Sequence, residues 1–225
     1  MNKLSVLMSV YNDQENVENA IKSILNQTFE DFEFLIIDDC STDDTYSVCN
    51  EYLKSDERIK LSRNEENIGL TKSLNILVGQ SSGIFIARQD SDDISYEDRL
   101  MAQYKELLNS NIDGCTTLAK IRNKNRTIPG ISRYISPRLT IKYKNPFIHG
   151  TLMIKAEELL KIGLYDENFY FAQDYKLMKD LIRGNKKIKI LNKVLYELNI
   201  ENNISTNNRE EQSYYANCVK KDKNP

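Results

Sequence analysis

The chain of 225 residues has no tryptophan, one histidine, four prolines and four cysteines. The missing tryptophan excludes nothing. The cysteines (Cys40, Cys49, Cys115, Cys218) show no paired or C-x-x-C spacing, which argues against a disulfide framework and for reduced thiols in the cytoplasm. Neither charge is in excess: 31 basic against 33 acidic side chains give a net charge of −2, which argues against nucleic acid as a partner. No apolar run approaches a membrane span, and Met1-Asn2-Lys3 leads into a short strand instead of a signal peptide. No G-x-G-x-x-G follows the first strand, where the turn reads SVYNDQE, and no G-x-x-x-x-G-K-[ST] occurs. A dinucleotide oxidoreductase and a P-loop enzyme are therefore unsupported. Without an internal repeat or a clear linker, the length suits one domain with a short tail.

What is present is a regular alternation of short apolar runs and amphipathic stretches over the first 110 residues. Residues 4–8 form an apolar run, followed by Val17, Ala20, Ile21, Ile24 and Leu25 at the spacing of one helix face. Residues 34–37 are continuously apolar, as in a strand covered on both sides. Ser41-Thr42-Asp43-Asp44 supplies a cap and first-turn acids for a second helix. Ile59 and Leu61 mark a third strand, Leu70, Leu74, Leu77 and Val78 stripe a third helix, and 84–87 is a fourth strand before a helix over 96–108. Repeated βα units imply an α/β fold with a mainly parallel, twisted central sheet flanked by helices. Beyond residue 112 the pattern loosens. Strands are expected over 115–121, 147–154 and 187–198, helices over 156–162 and 175–182, loops over 123–137 and 199–208, and a fraying helix after 209.

The chemistry concentrates where strands end. Asp38-Asp39 follows EFLII, and Asp90-Ser91-Asp92-Asp93 follows IFIARQ. Two carboxylates about 5 Å apart repel by about 3 kcal/mol at an effective dielectric near 20, so such a rim favours a cation and a phosphorylated ligand. In open α/β sheets ligands bind beyond the carboxyl ends of the strands. Tyr11 can offer a ring to a base, Asp39 can accept an imide N–H, Asp90 can receive ribose hydroxyls, and Asp92 is a hard oxygen ligand suited to Mg²⁺ or Mn²⁺. Each also has a plain reading: Tyr11 as packing, the acidic clusters as helix caps, Asp174 as the cap of the helix behind it. Paired acids also occur in receiver-type phosphorylation domains, but here they end the second strand, not the first.

The stretch SVLMSVYNDQENVENAIKSILNQTFEDFEFLIIDDCSTDDT, followed by NIGLTKSLN and ARQDSDD, resembles the family 2 glycosyltransferases of GT-A fold. The likeness runs over 3–98 and resumes more loosely over 145–208 through NPFIHGTLMIKAEEL, IGLYDENF, QDYKLMKDLIRGNK and NNIST. It implies a Rossmann-like GT-A domain over 1–205, with a nucleotide-sugar-binding half (1–110), an acceptor-binding half (111–205) and a tail (206–225). It also implies inverting, metal-dependent transfer from a nucleotide sugar to a glycan or lipid-linked acceptor. By the same resemblance, Ser9 and Tyr11 begin the base pocket, Asp39 reads the uracil edge, and Lys72 approaches the diphosphate. Asp90-Ser91-Asp92 matches the DxD motif, with Asp90 near the ribose and Asp92 on the metal. Asp174 matches the general base of an ED-type motif whose first residue is here Gln173.

Two departures stand out. Relatives carry Arg and His just before the NNIS-like stretch, where this chain has Leu198 and Ile200, so a catalytically inactive nucleotide- or partner-binding domain is the alternative. No Q-x-x-R-W motif is present, which argues against a processive synthase. His149 is read either as a contact to acceptor or phosphate or as a satisfied structural histidine. Tyr214, Tyr215, Val219, Lys220 and Lys221 are compatible with a weak peripheral membrane patch or with an ordinary soluble helix. The donor sugar, the acceptor and the oligomeric state have no motif in this chain.

Overall fold

The computed structural model describes residues 3–201 and 208–225; the NNIST motif at 202–206 lies outside them. In chain order the elements are β1 (Leu4–Val10), α1 (Val17–Leu25), β2 (Phe32–Asp38), α2 (Thr45–Ser55), β3 (Ile59–Arg63), α3 (Leu70–Gln80), β4 (Phe85–Arg88), β5 (Ile94–Ser95), α4 (Arg99–Asn109) and β6 (Gly114–Ile121). They continue with β7 (Thr127–Ile128), α5 (Pro137–Thr140), β8 (Met153–Lys155), α6 (Ala156–Lys161), α7 (Gln173–Arg183), β9 (Ile188–Leu198) and α8 (Arg209–Lys221).

One sheet runs through the molecule in the order β3-β2-β1-β4-β8-β6-β9-β5, with β7 paired to β6. The first four strands are parallel. β8 then runs antiparallel between β4 and β6, β9 is parallel to β6, and β5 closes the edge antiparallel. Strand order reverses between β1 and β4, which is where such sheets open a crevice.

Period-two alternation builds both faces. Phe34 and Ile36 of β2 pack with Ile21 and Ile24 of α1, while Leu35 and Ile37 face Leu74, Leu77 and Val78 of α3. Each such aliphatic side chain contributes about 1.5–3 kcal/mol on full burial, so the uninterrupted apolar reading of β2 follows from coverage on both sides.

Three local expectations are corrected. The strand read over 147–154 is only Met153–Lys155, because a 3-10 turn at His149–Thr151 interrupts it. Thr151 Oγ1 donates to Ile148 O at 2.8 Å, and the N–H of Thr151 does so at 3.1 Å. The helix read from 96 starts at Arg99, since β5 pairs with β9 and the Tyr96 N–H reaches Leu195 O at 3.0 Å. Ser41 does not cap α2; its hydroxyl accepts the Asn12 N–H at 2.9 Å, and Asp43 accepts the Thr45 N–H at 3.0 Å.

A buried carboxylate ties β1, β2 and the entry to β4 together. Glu33 accepts from Ser5 Oγ at 2.6 Å, from the Ser82 N–H at 2.7 Å and hydroxyl at 2.8 Å, and from Lys60 Nζ at 2.6 Å. Burial alone would raise its pKa, but Lys60, Ser5 and Ser82 together outweigh it and hold the carboxyl at about 2. The folded value lies below the unfolded one, so the stabilisation is complete above the ordinary glutamate range and is lost as pH falls toward 2. Glu33→Ala is expected to cost about 3 kcal/mol at neutral pH, with the difference from wild type shrinking in acid unfolding curves.

Candidate active site

Three strand ends line the crevice side by side. β2 ends in Asp38, with Asp39 behind it; β1 leads to Tyr11 and Asn12; β4 leads to Gln89 and Asp90. The β2 and β4 ends are two strands apart, roughly 10 Å at ordinary strand spacing. Asn12 and Cys40 both have positive φ, 48° and 65°, so the backbone turns sharply at both the β1 and β2 ends. Left-handed non-glycine residues cost of order 1–2 kcal/mol and concentrate at functional turns.

Asp38 is fully buried and structural: Oδ2 accepts the Ser41 N–H at 3.1 Å and pairs with Arg63 Nε at 3.0 Å. Asp39 shapes the following loop. Its carboxylate accepts Asn64 Nδ2 at 2.7 Å, the Ile68 N–H at 3.0 Å and the Gly69 N–H at 2.8 Å. A carboxylate has about four acceptor directions, so one remains beyond these three. Gly69 has φ 87°, so the NIG turn favours glycine, and a Cβ there would also have to displace the Tyr170 ring 2.7 Å away. Tyr11 is 48% exposed on the rim, and Ser9 lies two residues before it in β1, opposite Ile37. Lys72 is exposed in the first turn of α3 and has no carboxylate partner among the described residues.

The loop after β4 rests on a buried polar scaffold. Arg88 donates to Leu7 O at 2.7 Å and to Asp90 Oδ1 at 2.6 Å. Gln89 Nε2 donates to the carbonyls of Asp90 (2.9 Å) and Asp93 (3.0 Å), and the Asp90 N–H reaches Tyr196 Oη at 3.2 Å. Asp93 Oδ1 accepts the Asn199 N–H at 2.6 Å. The Arg99 guanidinium lies 5.5 Å over the Tyr196 ring. Gly150 passes behind Asp90 so closely that a Cβ would sit 2.6 Å from Asp90 Oδ2 and 2.5 Å from Tyr196 Oη. The glycine of the FIHGT stretch thus gives Asp90 room.

Two residues not singled out in the sequence fix this loop. Asp13 Oδ2 accepts Ser91 Oγ at 2.6 Å, and its other oxygen accepts Asn16 Nδ2 at 2.6 Å. Arg122, just beyond β6, reaches over to donate to Asp92 O at 2.8 Å and Glu197 Oε1 at 3.0 Å. An acid just before α1 reads as a helix-terminus charge in the sequence, and no local pattern links Arg122 to a loop 30 residues earlier.

The result is crowding of negative charge. Burial first, then the charges of Asp90 and Asp13, push the Asp92 carboxyl up to about 7. Asp93 is raised as well, by burial and by Asp92 and Asp90. Asp174 is in the first turn of α7, behind Ala172 at φ 53°; its pKa is raised by burial, with Asp90 adding to the effect. Asp174 and Asp92 therefore both feel Asp90, although 82 residues separate them in the chain. Asn145 Nδ2 donates to Asp174 Oδ2 at 2.8 Å and fixes the carboxylate's orientation. His149 is the satisfied histidine: Nε2 meets Tyr165 Oη at 2.7 Å, and burial and Arg88 lower its pKa to about 3, so it is neutral. Leu198 ends β9 and packs against the small cluster of Ala119, Ile148 and Tyr196. A hard, half-buried and under-compensated carboxyl such as Asp92 fits a divalent cation. Among the described residues, however, no three acidic, histidine or cysteine side chains converge into a ready-made cage.

A parallel β3-β2-β1-β4 half with an acidic rim at its switch point, extended by an antiparallel β8, is a GT-A architecture. The family model for glycosyl transferase family 2 matches residues 5–165, so the chain belongs to that family; Asp174 lies beyond the matched stretch. It is 32% identical over 200 residues to an uncharacterized glycosyltransferase of Haemophilus influenzae, covering 80% of this chain and 60% of that one. It is 32% identical over 186 residues to the Escherichia coli UDP-Glc:alpha-D-GlcNAc-diphosphoundecaprenol beta-1,3-glucosyltransferase WfgD, covering 81% and 70%. Its fold matches the crystal structure of S. aureus TarS residues 1–349 in complex with UDP, with TM-score 0.75 and 25% identity over 89% of this chain and 61% of that one. The chain thus spans three fifths of the length of the Haemophilus relative.

Proposed function

We propose that this chain transfers a sugar from a UDP-sugar to a hydroxyl of a glycan or lipid-linked acceptor, with inversion and with a divalent cation, in assembly of a surface polysaccharide in the cytoplasm. One observation carries the reading: Asp92 and Asp174, from opposite halves of the chain, both have carboxyls raised first by burial, with the charge of Asp90 adding to each. UDP as donor nucleotide is supported by the TarS complex and by the name of WfgD, and a lipid-linked acceptor by that same name.

The first 110 residues hold the donor and the rest present the acceptor. Tyr11, with Ser9 behind it, borders the base; the free acceptor direction of Asp39 takes the imide N–H; Asp90, held by Arg88, and Ser91, held by Asp13, receive the ribose; Lys72 approaches the diphosphate. Asp92 would hold Mg²⁺ or Mn²⁺ beside the diphosphate. When bound, the cation offsets negative charge on the departing diphosphate. Asp174, oriented by Asn145 on one oxygen, takes the acceptor hydroxyl's proton with the other. A single base opposite the leaving group gives inversion.

The test is a panel of UDP-sugars offered with glycan and diphosphate-lipid acceptors in the presence of Mn²⁺, with the product's anomeric configuration read by NMR. A β-linked product from an α-linked donor is expected; a retained configuration would reject Asp174 as a lone base. Leu198 and Ile200, which cannot grip a diphosphate, motivate the second reading, a nucleotide-binding domain without turnover. Metal-dependent UDP binding with no transfer or donor hydrolysis across the panel would select it.

A further inference from the structure

Between Asp113 and Glu157 the chain carries nine lysines and arginines and no aspartate or glutamate, although its net charge is −2. Within that stretch, segment 131–144 places apolar groups in solvent. Ile131 (81%), Tyr143 (75%) and Tyr134 (70%) are the most exposed large hydrophobic side chains among the described residues, joined by Leu139 at 56% and Ile135 at 46%. The same segment exposes Arg138, Lys142 and Lys144. Arg138 donates to Asn185 Oδ1 at 3.2 Å, and none of the three cations pairs with a carboxylate among the described residues. The segment is not loose. Ser132, Thr140 and Ile141 turn inward and are buried, and Tyr175 Oη of α7 donates to Ile141 O at 2.7 Å. The residue that follows it, Asn145, is the one that holds Asp174.

The C-terminal helix does not offer such a surface. Val219 and Cys218 of α8 are buried against α7, Lys179 Nζ donates to Val219 O, and Tyr215 packs edge-to-face with Phe169 and Phe171. Only Tyr214, Lys220 and Lys221 of the residues read there as an interfacial patch remain exposed.

We propose that segment 131–144 is a docking surface for an anionic phospholipid bilayer, with its aliphatic and tyrosine side chains at the headgroup boundary and its cations on the lipid phosphates. Unpaired lysines and arginines interleaved with tyrosines and aliphatics match the chemistry of that interface. A soluble polyanion would use the cations but gives no role to Ile131, Ile135 and Leu139. A second copy would bring two like-charged faces together, which opposes isologous pairing. Docked this way, the bilayer lies on the Asn145–Asp174 side, where a lipid-linked acceptor would emerge. That consequence rests on the proposed transferase reading; the membrane contact does not.

Flotation of the full chain with phosphatidylcholine–phosphatidylglycerol vesicles and with phosphatidylcholine vesicles tests the surface without turnover. Binding to the anionic vesicles only, weakened at high salt, is expected. The triple variant Arg138→Glu/Lys142→Glu/Lys144→Glu is expected to lower partitioning by roughly 100-fold, from about 1 kcal/mol per cation. Ile131→Ser/Leu139→Ser is expected to lower it with the charge intact, and Lys54→Glu/Lys105→Glu, on other faces, to leave it unchanged. No binding by wild type, or equal binding by the triple variant, overturns the proposal. So does a concentration-dependent dimer in sedimentation velocity that the triple variant abolishes while vesicles remain unbound, which would assign the face to a second copy.

Discussion

Asp92→Asn is expected to weaken Mn²⁺-supported UDP binding sharply while making the metal-free protein more stable. The two effects share one cause. The Asp92 carboxyl is raised to about 7 by burial and by the neighbouring charges of Asp90 and Asp13, so in the absence of a cation it destabilises the fold when ionised. For an acid whose folded pKa exceeds its unfolded value, stability is lost as pH rises between the two. A shift of this size corresponds to an upper bound on the order of 4 kcal/mol, and a gain of about 1–3 kcal/mol at pH 8 on removing the charge is expected after local relaxation. UDP affinity in Mn²⁺ is expected to fall by about 100-fold or more, the scale of losing a group aimed at ligand charge. Chemical denaturation without metal and titration with it give the two readouts. A variant that is less stable and still binds UDP through Mn²⁺ would show Asp92 to be a structural cap.

Asp174→Asn has the largest expected effect on turnover. A positioned general base contributes about 10²–10⁴-fold, so kcat is expected to fall by that factor with UDP affinity unchanged. Burial, and the charge of Asp90 after it, raise this carboxyl. The base works ionised, so the wild-type rate should decline as pH falls, with the inflection above the ordinary carboxylate range. Asn145 donates to the carboxylate and favours its charged form; Asn145→Ala is therefore expected to move the inflection further up in pH, which a merely structural residue would not do. Full activity in Asp174→Asn would remove the residue from the chemistry.

The first 110 residues were legible because their physics is local. Apolar runs covered on both faces, helix stripes at 3.6-residue spacing and acids at strand ends can each be read within ten residues, and β1 to β4 and α1 to α3 formed where that reading put them. What escaped depends on contacts across the chain. Gly150 is small because Asp90 and Tyr196 crowd it from 60 and 46 positions away, and the turn this requires shortened the strand expected at 147–154. Arg122 and Asp13 are ordinary surface charges until β6 and β1 converge on the Asp90–Asp93 loop. Asp39 shows the opposite limit: its type and place were evident, but not that three donors from residues 64–69 already occupy it.

In the proposed enzyme the acids at the end of β4, crowded by Asp13, tolerate their own charge by holding a cation together with a nucleoside diphosphate. Calorimetric titration of UDP into the wild-type chain, with Mn²⁺ and with chelator, tests this most directly. One saturable site with Mn²⁺ and none detectable with chelator are expected. Binding of equal strength in both conditions, or no binding in either, would contradict it.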